Sequence, residues 1–132
     1  MNANTQPLDY STDKTLLGSI GEHHRLIQML LSEKSRTLKN VQIIMDQKAR
    51  NKTPLHEKQL RKFNEFTGLY AREGGLLKDS LVRIVSIHTM LHTKSAEPLW
   101  LSLLTLQKQQ RNAINSLRRM IASGEQLLEM LM

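Results

Sequence analysis

The sequence has no cysteine, three prolines and six glycines, and its aromatic residues are one Trp, two Tyr and two Phe. Without cysteine there is no disulfide framework and no thiolate chemistry, which suits a reducing compartment. So few aromatic residues and turn-formers argue against an all-β fold or a collagen-like fibre. No stretch approaches the roughly 18 consecutive apolar residues of a membrane span. The first twelve residues lack the basic start and apolar run of a secretory signal. The expectation is a cytoplasmic protein without a membrane span.

Catalytic patterns are missing as well. The chain has no Gly-rich phosphate loop, no Ser-His-Asp set and no paired carboxylates for acid–base work, so it does not read as an enzyme. His88 and His92 stand one helical turn apart and could share a metal, but no carboxylate lies at ligand spacing beside them. His88 fits a helix seam, and His92 a helix C-terminus whose dipole favours it. His23, His24 and His56 form no pattern. Neither a metal nor a cofactor is expected.

What the chain does have is apolar periodicity. Leu17, Ile20, His24, Ile27, Leu31, Lys34, Leu38, Val41 and Met45 step by three and four without slip, keeping one seam toward a partner helix. Residues 1–10 are polar and aperiodic and read as a tail, with Ser11 or Thr12 as the cap. After Asn51-Lys52-Thr53-Pro54, where Thr53 caps and Pro54 takes the first helical position, the run resumes at Leu60, Phe63, Thr67, Tyr70, Gly74, Leu77, Leu81, Ile84, His88 and Leu91. Gly74-Gly75 is a weak point inside it, since each Gly costs about 1 kcal/mol against Ala; a break there would give four helices, a continuous helix three. Thr93 to Pro98 is the last punctuation, with Ser95 as cap. Trp100, Leu103, Gln107, Gln110, Ile114, Leu117, Ile121, Gly124, Leu128 and Leu131 then form the third seam.

The expected fold is all-α: one domain over residues 11–132, with helices at about 13–48, 54–92 and 96–131. Short connections make successive helices antiparallel, giving an elongated up-down-up three-helix bundle with coiled-coil packing, each helix roughly 54 Å long.

The formal charge of +7 is localised. Residues 34–62 carry Lys34, Arg36, Lys39, Lys48, Arg50, Lys52, Lys58, Arg61 and Lys62 against Asp46 and Glu57 alone, and the remaining basic and acidic side chains balance. The net charge is therefore expected at one tip, around the first turn and beside the end of helix three. Such a tip can attract nucleic acid, an acidic protein surface or anionic lipid, or it is simply a solvated loop. It has no aromatic interleaving, no DNA- or RNA-binding signature and no wide apolar face.

The third helix closes on Gln126-Leu127-Leu128-Glu129-Met130-Leu131-Met132, apolar on more than one face. That suits either a surface for a partner helix or packing beneath the turn at residues 49–53. Trp100, the Asn112-Ala113-Ile114-Asn115 pair and this ending, in that order, resemble FlgN, the flagellar export chaperones that hold hook-associated proteins before secretion. The related flagellar chaperone FliT and other helical cytosolic components of type III secretion share the outline. The resemblance implies a chaperone that binds a secreted flagellar or type III substrate through its C-terminal helix, with contacts at Asn112, Asn115, Leu127, Leu128, Met130 and Leu131, by helix exchange with a disordered cargo end. The alternatives are a basic nucleic-acid-binding or architectural protein using the 34–62 tip, and a purely structural coiled-coil adaptor.

Overall fold

The computed structural model of the chain describes residues 10–92 and 99–132. They form α1 (Tyr10–Arg50), α2 (Glu57–His92) and α3 (Leu99–Leu131), with no strand among the described residues. Gln107 Nε2 donates to Ser19 Oγ and Gln110 Nε2 to the Ile20 carbonyl, so α3 runs parallel to α1. Glu73 pairs with Arg119, and Gln59 reaches the Met130 carbonyl, so α2 runs antiparallel to α3. The topology is the expected up-down-up.

The helix ends differ from expectation in instructive ways. Tyr10 is already helical, which puts Ser11 and Thr12 inside α1 rather than at its cap. α1 ends in paired bonds from the Thr53 N–H to the Lys48 carbonyl (2.9 Å) and from the Lys52 N–H to the Ala49 carbonyl (3.2 Å). Lys52 sits at φ 53°, in the left-handed region. This is a Schellman closure with Lys in the position that usually holds Gly. Thr53 is occupied in that closure and does not cap α2. His56 caps it instead: the Gln59 N–H donates to His56 Nδ1 (3.4 Å) and the His56 N–H to Gln59 Oε1 (3.2 Å). The two side chains satisfy each other's free amides as a capping box does. Ser95 and Pro98 lie outside the described residues.

Gly74-Gly75 does not break α2, which runs on through both residues. Its neighbours Glu73 and Leu77 are buried, so tertiary packing holds the helix across its weak point.

The expected seams are met in part: Ile20, Ile27, Val41, Leu77 and Ile84 are buried as their spacing predicts, but the most buried stripe of each outer helix is displaced to one side of the rest. On α1 the buried set is Leu16, Ile20, Ile27, Leu30, Thr37 and Val41, while Leu17 is 53% exposed and His24 faces solvent. On α2 it is Gln59, Phe66, Glu73, Leu77, Ser80, Ile84 and Ile87, while Leu60 and Thr67 are exposed. The cause is α3. It is buried along two faces at once, through Leu103, Leu106, Gln110, Ala113, Ile114, Leu117, Met120, Ile121 and Leu127. Each outer helix turns its most buried stripe to α3, leaving Leu31, Leu38, Met45, Tyr70 and Leu81 half-buried at the edge.

Small residues let α3 sit between two neighbours. Gly124 is the tightest point: a Cβ there would strike the Thr37 Cγ2 methyl of α1 and come within 3.3 Å of Phe66 Cε1 of α2. Nearer the middle, Glu73 is 6% exposed and accepts from Arg119 Nε (2.9 Å) and Nη2 (2.8 Å). The Arg119 hydrogen bonds hold the Glu73 pKa below its ordinary value of 4.5, assisted by a hydrogen bond from Ser116 and against the opposing cost of burial.

Three stability measurements test this packing. Gly124→Ala is expected to destabilise by about 1–3 kcal/mol through overpacking, although Ala is the better helix former. Adding Thr37→Ser, which removes the offending methyl, should recover much of the loss in urea unfolding; a Gly124→Ala protein as stable as wild type would refute the contact. Lys52→Gly should raise stability by about 1 kcal/mol, because Gly takes the left-handed conformation without a Cβ penalty. Glu73→Gln should cost about 1–2 kcal/mol at neutral pH, at the low end for a charge-assisted bond because the Arg119 side chain is half-exposed. A lowered carboxyl pKa stabilises the folded state above 4.5 and loses that contribution as pH falls through the folded-state value. The gap between wild type and Glu73→Gln should therefore close in acid, and a gap that stays constant would assign the loss to something else.

Candidate partner-binding surfaces

The six C-terminal positions picked out by sequence do not share one surface. Leu127 is fully buried and Leu131 is 6% exposed; both belong to a core cluster with Val41 and Phe66, against which Leu128 packs half-buried. Ile44 and Thr53 share a recess with Leu131 and Met132, so the end of α3 sits beneath the α1–α2 turn. A 2.9 Å bond from Gln59 Nε2 to the Met130 carbonyl fixes it there. In this arrangement Leu127 and Leu131 hold α3 in place, and a partner reaches them only if α3 leaves.

Asn112, Asn115 and Met130 are at the surface. Met130, 40% exposed, adjoins Lys58, Arg61, Lys62 and Glu65 at the tip. Along the same helix Asn115 lies about 22 Å and Asn112 about 27 Å from Met130. The two asparagines line an open cleft of about 280 Å³ between α2 and α3, together with Leu76, Arg83, Gln109 and Arg119. Arg119 is held in this wall by its bond to Glu73. With Asp79, Ser80 and Ser116 also in the lining, the cleft offers amide donors and acceptors, two hydroxyls, two guanidinium groups, one carboxylate and one apolar side chain, a set that can grip a polar stretch of peptide.

The basic residues divide. Lys48, Arg50, Lys52, Lys58, Arg61 and Lys62 stand around the α1–α2 turn, next to the end of α3 as expected. Lys34, Arg36 and Lys39 lie more than two turns back along α1. Part of the tip's charge is balanced locally, by Glu57 on Arg61 (3.4 Å) and Glu65 on Lys62 (3.6 Å), and Lys62 Nζ also donates to Gln126 Oε1 (2.8 Å). Phe63 and Phe66 pack inward, so neither offers a base a stacking platform. Among the described residues no group of three His, Asp or Glu could hold a metal, and no helix is long and apolar enough to cross a membrane.

A further surface was not found by sequence reasoning. No residue of α1 approaches a residue of α2 within 8 Å between Cα atoms, whereas both helices approach α3 closely. Between them at mid-height is an open groove of about 470 Å³, lined from α1 by Leu31 and Lys34 and from α2 by Gly74, Leu77, Leu81 and Val85. Lys78 and Val82 complete its rim, and Val82 and Val85 are 59% and 64% exposed. Toward the tip the space is filled by Leu38, Met45, Phe63 and Tyr70. The Tyr70 ring packs tilted against Phe66 with centroids 4.3 Å apart, its hydroxyl has no hydrogen-bond partner among the described residues, and burial pushes its pKa up. The signal was present as excess width: the apolar stripe of each outer helix is broader than one seam requires.

No family model matches the chain, and neither a curated protein nor a solved structure shows significant similarity to it.

Proposed function

We propose that this protein is a cytoplasmic helical chaperone that holds a segment of a secreted flagellar or type III substrate, of the hook-associated type, with α3 as part of the contact. One observation carries the reading. Asn112 and Asn115, the residues that bear the resemblance to FlgN, are exposed and stand together in an open polar cleft between α2 and α3. Polar side chains that the fold does not bury are free to serve a partner. Met130 and Met132 add adaptable apolar contacts at the tip.

The burial of Leu127 and Leu131 modifies the mechanism. Helix exchange would remove the one element on which α1 and α2 both rest. Cargo capture along the standing surface of α2 and α3 leaves the bundle intact, and a disordered cargo end can wrap more than one face while remaining releasable. The same burial makes removal of residues 126–132 a poor test, since the core would go with it.

The test is co-expression with hook-associated proteins and gel filtration of the complexes. Wild type should carry one of them as a stable complex, and Asn112→Ala with Asn115→Ala should weaken that complex about tenfold or more without lowering the melting temperature. If no flagellar or type III substrate co-purifies, the reading falls. Binding to duplex DNA that weakens steeply with salt would then favour the basic nucleic-acid-binding alternative at the tip.

A further inference from the structure

The groove between α1 and α2 is a large apolar feature that neither the fold nor the α3 cleft uses. It lies on the opposite side of α2 from Asn112 and Asn115, since Leu76 and Arg83 face the cleft while Leu81 and Val85 face the groove. We propose that it is the docking site for an acidic amphipathic helix of a partner protein, which completes a four-helix arrangement.

The shape argues for a helix. Two antiparallel helices whose Cα atoms stay more than 8 Å apart, both resting on a third, leave a gap at mid-height where a fourth helix of a bundle would lie. The α2 wall runs from Gly74 to Val85, about 17 Å or three helical turns. Apolar side chains line both walls, as in grooves that take an amphipathic helix through residues spaced three and four apart.

Gly74 supplies an independent argument. It costs the helix about 1 kcal/mol relative to Ala. The fold does not require it: a Cβ at this position would meet nothing closer than Met120 Cε at 4.0 Å, an ordinary contact. Its φ is not left-handed either. Gly18, Gly21, Gly68 and Gly75 are equally free of close neighbours, so what distinguishes Gly74 is its place in the lining, where the missing side chain leaves the groove open to a side chain of the occupant.

Charge selects the occupant. Lys34 and Lys78 are the charged residues of the lining, and no carboxylate joins them. Their ammonium groups can pair with Glu or Asp flanking the partner's apolar stripe, while their stems extend the apolar walls. A second copy of this chain is disfavoured by the same feature, because two such grooves would set lysine against lysine.

The inference does not depend on the cargo being a flagellar substrate, so it is tested with designed peptides. Because the chain has no cysteine, Val85→Cys carries a unique thiol in the groove. Its reaction with a disulfide reagent is followed with and without a helical peptide of roughly 18 residues, long enough to hold its form. One peptide carries Leu at the seam positions and Glu beside them; its twin carries Lys in place of Glu. The acidic peptide should slow the reaction about tenfold or more and the basic twin should not. Lys34→Glu with Lys78→Glu should invert the preference, Lys78→Glu alone serving if the pair does not melt cooperatively. Gly74→Leu, which fills the groove, should abolish protection. A thiol placed on exposed α3 by Ala122→Cys should stay unprotected throughout. Equal protection by both peptides, equal protection of Ala122→Cys, or no protection by either peptide would overturn the proposal. So would slowing that appears on raising the protein concentration without peptide, which would assign the groove to a second copy. Co-purification of a hook-associated protein alongside unprotected Val85→Cys would leave the chaperone reading standing and remove this one.

Discussion

The bundle depends on α3 being packed from two sides at once. α1 and α2 have no close backbone approach to one another, so the close helix–helix approaches that order them both involve α3. A helix can serve two neighbours only if parts of its surface are small, and α3 meets that need with Ala113, Ser116, Ser123 and Gly124. At Gly124 the constraint is tightest, because Thr37 and Phe66 arrive from opposite partners. The register shift of both outer helices follows from the same requirement. Each rotates until its best stripe meets α3, and what remains of its apolar surface is left over the central gap.

Polar groups buried along α3 fix where the helices meet. An apolar seam with a regular repeat tolerates slippage by a heptad; a buried amide or carboxylate that needs its partner does not. Gln110 is fully buried and donates to the Ile20 carbonyl at 3.1 Å, setting α1 against α3. Glu73 on Arg119 and Gln59 on the Met130 carbonyl set α2 against α3 at two levels. Such contacts add little net stability, since burial costs offset much of the gain, but each misaligned register would leave a buried polar group without a partner.

The three helices, their order and the adjacency of the basic turn to the end of α3 were legible in the sequence, because heptad spacing and Pro-containing breaks are local signals. Register was legible only in part: Ile20, Ile27, Val41, Leu77 and Ile84 lie on the expected seams and are buried, but the flanking positions are not the expected ones. Leu17 and Leu60 look like better core residues than Thr37, Gln59 or Glu73, and only the position of α3 decides against them. The second buried face of α3 was hidden for a related reason: Ser102, Gln109, Ser116 and Ser123 read as solvent positions, yet are buried by neighbours they are small or polar enough to accommodate. The His56–Gln59 cap was masked by the stronger textual cue of Thr53-Pro54, whose Thr53 amide closes the preceding helix instead. For the candidate site, Asn112, Asn115 and Met130 emerged at the surface, whereas Leu127 and Leu131 could not be distinguished from interface residues by hydrophobicity alone.

The same architecture bears on how a partner could be held. Withdrawing α3 would expose both of its buried faces and leave α1 and α2 with nothing to pack on, which amounts to global unfolding at a cost of order 5–15 kcal/mol for a domain. A cargo helix that replaced α3 would have to reproduce two interfaces, including the seats for Ile20, Glu73 and Gln59. A helix that lies against the standing bundle faces no such demand. It must offset only its own ordering and the desolvation of a few rim charges. A bundle that leaves α1 and α2 apart has already accepted the loss of their mutual contact, and with it incomplete burial of Leu31, Leu81, Val82 and Val85. Any fourth helix bound there gains burial that the chain alone leaves unrealised.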